Sequence, residues 1–171
     1  MRAVAFSFAC ALLLILGGCG SAKDGGGPAK RAFVKGADEV CTAHVRAVMT
    51  FLNQPQTGAA WRQQANQDEG LYEIIDGSIK RLESLGRPPG PRDAAFDDYL
   101  TTMKARAALY RLTSVAFLNR DTVSALQLET RIKAIDARGD RDAHTYGLSV
   151  CGTGLKDVAK AFDAAGLIPH Q

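Results

Sequence analysis

The stretch DAAFDDYLTTMKARAALYRLTSVAFLN, residues 93–119, decides how the chain folds. Its seam positions, Phe96, Leu100, Met103, Ala107, Tyr110, Ser114 and Phe117, apolar but for Ser114, recur in alternating steps of four and three. That spacing keeps one face of an α-helix turned toward a core for three heptads. Asp93 stands where a cap belongs, and Asp97 and Asp98 follow in the early turns, where the helix dipole favours carboxylates. Because the run stops at Asn119, it describes a bundle helix and not a long coiled coil.

Working outward, the same period returns on both sides. C-terminal to the run, Asp121 is an expected cap for a helix whose inner line is Ala125, Leu128, Ile132 and Ile135. This helix should continue to Tyr146, with Gly147 as its left-handed C-cap. N-terminal to the run, Phe33, Ala37, Val40, Cys41, His44, Val45, Val48 and Leu52 mark a first helix, and 53–58 (NQPQTG) a loop. A second helix is expected from about Ala59 to Leu85, with Leu71, Ile74, Ile75, Ser78, Ile79, Leu82 and Leu85 inward. Its first half is polar almost all round, so only Trp61 and Ala65 are expected to face a core there. Gly70 and Gly77 weaken it by about 1 kcal/mol each, which leaves its continuity through Gly70 open. Gly86, followed by Pro88 and Pro89, ends it. Thr153 to Ala165 forms an expected short last helix with Val158, Ala161 and Phe162 inward. No segment alternates with the period of a strand. The expected fold is all-α: a four-helix up-and-down bundle with a short C-terminal helix and a disordered N-terminal tether.

The chain begins with Arg2 and an apolar run from Ala3 to Leu16, followed by Leu16-Gly17-Gly18-Cys19. Its fourteen residues span roughly 21 Å as a helix, short of a hydrocarbon core of about 30 Å. The run therefore reads as the apolar region of a signal peptide. The residues before Cys19 match a lipobox, so Cys19 is the expected lipidation site (diacylglyceryl with further acylation such as palmitate), and residues 1–18 the part removed. More than one acyl chain anchors a protein stably. Gly20 to Arg31, glycine-rich and charged, reads as a tether, which puts lipidated Cys19 and linker at 19–32 and the bundle domain at 33–171. Gly20 lacks the aspartate used for inner-membrane retention in some double-membrane bacteria. The expected location is the extracytoplasmic face of the cell membrane.

Removing the leader takes away Arg2 alone among the charges and leaves 20 basic residues against 18 acidic. So even a balance, with no basic tract, gives no electrostatic case for nucleic acid. Cys10 leaves with the leader and Cys19 carries lipid, so Cys41 and Cys151 remain as a pair in an oxidising compartment. In an up-and-down bundle the first helix starts at the end where the fourth finishes, so the two cysteines can meet. A disulfide is the expected outcome. Cys41, His44, His144 and Cys151 also form a Cys₂His₂ set, so a zinc site and free thiols are the alternatives.

Three motifs recur together here: the first-helix cysteine in Ala37-Asp38-Glu39-Val40-Cys41, Leu82-x-x-Leu85-Gly86-Arg87-Pro88-Pro89, and Tyr146-Gly147-Leu148-x-x-Cys151-Gly152. In these the chain resembles a class of small helical lipoproteins and secreted proteins of actinobacteria, over residues 35–152. The resemblance implies a paired-cysteine helical domain outside the membrane. That class carries no settled activity, so it implies no catalytic residue.

The residues themselves carry no catalytic motif. There is no His-Glu-x-x-His, Gly-x-Ser-x-Gly, Walker loop or dinucleotide fingerprint, and neither His44 nor His144 follows a glutamate at the di-iron spacing. Asp93, Asp97 and Asp98 are explained by the dipole, and Arg138-Gly139-Asp140 lies within an expected helix. The expectation is a non-enzymatic envelope module, without cofactor, that binds another protein or a wall component. The alternative is a small-molecule or lipid carrier with a cavity lined by Trp61, Tyr99, Met103, Tyr110 and Phe117. A metal-binding protein at the Cys/His end is a third reading.

Overall fold

The computed structural model describes residues 27–55, 57–86 and 93–151. Among these the chain is helical throughout, with no strand: α1 Pro28–Leu52, α2 Ala60–Ser84, α3 Asp93–Leu118 and α4 Thr122–Tyr146. The leader, Cys19, most of the expected tether, the expected last helix and the side chain at the expected cap Asp93 lie outside the described residues.

The helices run up and down, each packed on the next. Gly36 faces Leu85, His44 bonds Ser78 and Phe51 covers Gly70, so α1 and α2 are antiparallel. Glu83 meets Lys104 and Tyr72 meets Arg111 between α2 and α3. Thr102 lies against Gly139, and Arg106 pairs with Asp136, between α3 and α4. Side chains join α1 to α4: Phe33 and Tyr146 stand edge-on with ring centroids 5.9 Å apart, and Phe96 of α3 lies 5.0 Å from Phe33 and 5.3 Å from Tyr146.

α1 starts at Pro28, ahead of the apolar periodicity, so 28–32 are helix and not tether. Proline suits the first helical position, where its missing N–H costs no hydrogen bond. The Ala, Lys and Arg residues after it are good helix formers. Both expected punctuation marks of α4 are in place. Asp121 accepts a hydrogen bond from the Ser124 N–H at 3.0 Å, and Gly147 takes φ 104° with Leu148 N–H bonded back to Ala143 O at 3.0 Å. The latter closure is a Schellman motif, and it buries Leu148.

α2 is continuous through Gly70. The reason is packing: a Cβ at Gly70 would overlap the Phe51 ring, so this glycine is the socket into which the last turn of α1 locks. Gly77 is different, with open space where a Cβ would stand. Alanine should therefore act oppositely at the two positions. Gly77→Ala gains about 1 kcal/mol of helix propensity. Gly70→Ala gains the same but meets an overpacking cost of about 1–3 kcal/mol, for a net loss of up to about 2 kcal/mol. Urea unfolding of the two variants checks the sign; a stabilised Gly70→Ala would mean Phe51 moves aside freely.

α3 is more deeply set than its apolar seam implies. Phe96, Met103, Ala107 and Ser114 are buried as expected, and Leu100, Tyr110 and Phe117 half-buried. Tyr99, Thr102, Leu109, Thr113 and Ala116 are buried too. Lying between α2 and α4, α3 needs two inner lines, and small or hydroxylic residues serve the closer one. Thr102 and Gly139 make that approach possible, and a Cβ at Gly139 would stand 3.1 Å from the Thr102 methyl. Arg138-Gly139-Asp140 is accordingly part of a helix with its glycine buried.

Candidate functional site

Three places on the bundle concentrate chemistry. At the end where α1 begins and α4 finishes, Cys41 and Cys151 form a disulfide with Cα atoms 5.1 Å apart. Asp38, one turn before Cys41, holds the incoming segment: its carboxylate accepts from Ser149 N–H (3.1 Å), Ser149 O–H (2.6 Å) and Val150 N–H (2.9 Å). Tyr99 Oη lies 3.6 Å from Cys41 Sγ. Burial pushes the Tyr99 phenol above its ordinary range, so it stays neutral. The bridge takes up both thiols of the Cys₂His₂ set. Its histidines are also apart in role, His144 exposed on α4 and His44 buried on α1. Among the described residues no group of three or more His, Cys, Asp or Glu converges as metal ligands would.

The second place is the bundle interior. His44 Nδ1 lies 3.0 Å from Ser78 Oγ, and the Ser78 hydroxyl donates to Ile74 O at 2.8 Å. With its one proton committed there, Ser78 Oγ must accept from a protonated His44 Nδ1. Burial, helped by the Arg106 charge, lowers the His44 pKa to about 4, so the ring is neutral. A neutral imidazole that donates to the serine cannot draw off its proton, so the pair is a buried tie and not a nucleophile with its base. Arg106 Nε lies 2.9 Å from Asp136 Oδ1, and its guanidinium stands 5.7 Å from the Tyr110 ring centre. Burial opposes the Arg106 charge, but Asp136 and Tyr110 outweigh it and hold the guanidinium protonated. Burial also raises the Asp136 and Asp140 carboxyls, against the pull of Arg106.

Asp68 is the interior residue that the polar look of early α2 conceals. It is 3% exposed, and its Oδ2 has no hydrogen-bond partner among the described residues. Burial raises its pKa to about 7, with a weak bond from Gln64 (3.4 Å) opposing and Glu129 adding to the rise.

The third place is a groove of ≈ 740 Å³ along the outer side of α2 and α3. Ile79, Ala107, Ala108, Leu112 and Val115 give it an apolar lining. Leu112 and Val115 stand 53% and 48% exposed. Its rim carries the ion pairs Lys80–Asp76 and Lys104–Glu83, both at 2.6 Å, and Arg111 over the Tyr72 ring at 5.5 Å. Leu118, Val123 and Leu126, on the two sides of the α3–α4 turn, are exposed as well. The residues expected to line an internal cavity do not form this groove. Tyr99 and Met103 are packed in the core, and Trp61 lies at the far end of the bundle beside Arg62 and Arg120.

No known family matches the chain, and no solved structure does. The chain is similar to the DNA gyrase A protein of Haloquadratum walsbyi (strain DSM 16790 / HBSQ001), 26% identical over 113 residues. That alignment covers 60% of this chain and 13% of the gyrase protein. So partial a likeness, at so low an identity, assigns neither family nor activity.

Proposed function

We propose that the chain is a lipid-anchored protein of the extracytoplasmic face of the cell membrane. In this reading it is a non-enzymatic module that binds an envelope protein in the groove between α2 and α3. The observation that carries the binding role is the groove itself. Five residues of α2 between Tyr72 and Glu83 and six of α3 between Lys104 and Val115 border it, so it runs for roughly 16 Å at 1.5 Å per residue, the length of a three-turn helix. An apolar floor with a charged rim suits an amphipathic helix laid into it. The lipobox at Cys19 supports the location, and the disulfide agrees with an oxidising compartment. The resemblance to actinobacterial helical lipoproteins and the expected tether and last helix belong to the same reading. Near-neutral charge supports no nucleic-acid partner, and no helix among the described residues is long and apolar enough to cross a membrane.

A second reading, a carrier of a small apolar ligand, is favoured by the groove's volume, which falls in the range of ligand pockets. A photo-crosslinking residue in place of Ala108, used in intact cells, separates the two. A discrete protein adduct, lost in Leu112→Glu, supports the module; a lipid or small-molecule adduct supports the carrier. For the anchor, Cys19→Ala should move the protein from the membrane fraction to the soluble one, and retention in the membrane would refute lipidation.

A further inference from the structure

The end of the bundle opposite the disulfide carries an arrangement that neither the anchor nor the groove uses. Trp61, in the first turn of α2, has the Arg62 guanidinium 5.0 Å and the Arg120 guanidinium 5.1 Å from its ring. The two cations therefore stand within about 10 Å of each other. Neither is paired with a carboxylate among the described residues, and the nearest acid in sequence, Asp121, is engaged at the Ser124 N–H.

Arg120 occupies its place at a cost. It has φ 58° and is the one non-glycine residue with positive φ among the described residues. The α3 terminus closes as the α4 terminus does, with Asp121 N–H bonded back to Ala116 O at 2.9 Å just as Leu148 N–H bonds to Ala143 O. α4 puts glycine at the left-handed position of that motif, the residue that fits it without strain; α3 puts arginine there. A strained side chain kept where glycine would be easier points to a use for that side chain. The neighbouring α2 terminus adds to the field: Ala59 gives it no side-chain cap, and its first turn holds no acid.

We propose that Trp61, Arg62 and Arg120 form a binding site for a ligand carrying at least two phosphate groups. Each guanidinium fork matches a phosphate, and the indole holds both forks in position before the ligand arrives. A tetrahedral phosphate has oxygens enough to accept from a fork and from first-turn N–H groups together. Two forks, each matched to one phosphate, call for a ligand with more than one. This site is separate from the groove and the anchor.

Trp61 is the only tryptophan in the chain, so its fluorescence reports this site directly. Linear polyphosphate added to the full-length protein should change the emission saturably, and binding should weaken as salt is raised. Arg62→Gln and Arg120→Gly should each weaken it tenfold or more. Arg120→Gly should also melt at the same or a higher temperature than the parent, since glycine relieves the strained φ; a purely structural arginine would lower the melting temperature on removal. The proposal is overturned if polyphosphate leaves the emission unchanged, or if Arg120→Gly binds as tightly as the parent. It is equally overturned if inorganic phosphate at matched phosphate concentration, or poly-glutamate at matched charge, binds as tightly as polyphosphate.

Discussion

Replacing Cys41 and Cys151 together by alanine should lower the unfolding free energy by about 4–5 kcal/mol. The bridge spans a sequence separation of 110, and closing a loop of that length removes this much chain entropy from the unfolded state. Native domains hold only about 5–15 kcal/mol in total, so the variant should be marginal or unfolded at 37 °C. Reduction of the parent by dithiothreitol should act in the same direction. The carboxylate of Asp38 would still reach Ser149 and Val150, but three hydrogen bonds at a half-exposed site do not replace a covalent tie. Guanidinium unfolding of the oxidised parent and the double variant measures the difference. A loss below about 1 kcal/mol would mean that noncovalent packing, the Phe33, Phe96 and Tyr146 cluster together with the contacts of α1 to α2, keeps α1 on the bundle without the bridge.

The second large effect is a pair of opposite pH dependences inside the bundle. The folded pKa of Asp68 is raised from 3.8 to about 7, so the folded state holds a proton that the unfolded state gives up earlier. The stability linked to this group is full below pH 3.8 and is lost as pH rises toward 7. At 1.36 kcal/mol per unit the loss is about 4 kcal/mol. Asp68→Asn, which mimics the protonated acid, should match the parent near pH 4 and exceed it by several kcal/mol at pH 8. His44 has the reverse sign. Its folded pKa is lowered from 6.5 to about 4, so its contribution is full above pH 6.5 and is lost as pH falls toward 4, by about 3 kcal/mol. His44→Gln should be less stable than the parent at pH 7 through lost packing, and that deficit should shrink as pH falls from 6.5 to 4. Denaturant curves of both variants at pH 4, 6 and 8 check the signs. A difference from the parent that stays constant with pH would refute the titration assigned to that residue.

Much of the architecture was legible in the residues because helix period and helix punctuation are local properties. The seam from Phe96 to Phe117, the Asp121 cap, the left-handed Gly147 and the stop at Gly86 each need only a few neighbouring residues to be recognised. The cysteine pair was legible once topology placed the start of α1 beside the end of α4. Pro28–Ala32 resembles tether in sequence because it holds no large apolar residue, although Pro28 itself signals a helix start. The interior polar groups are another matter. Asp68 sits in a run that is polar almost all round, and no periodicity marks which of its charges turns inward. Arg106 and Asp136 lie on different helices, and their 2.9 Å approach depends on how closely α4 packs on α3, which Gly139 and Thr102 set. The groove was missed for a related reason: Leu112 and Val115 fall off the seam of α3 and become a surface only once α2 lies beside them. Arg120 alone left a trace, since a helix ending without glycine before a new cap raises the question of which residue takes the left-handed position.

The central claim, an anchored module in an oxidising compartment, is tested most directly by intact and peptide mass spectrometry of the protein from its own membranes, without reduction. The expected result is a chain that begins at a lipid-modified Cys19 and a linked peptide pair containing Cys41 and Cys151, with no alkylatable thiol. A chain that keeps Met1 to Gly18, with Cys41 and Cys151 both open to alkylation, would contradict it.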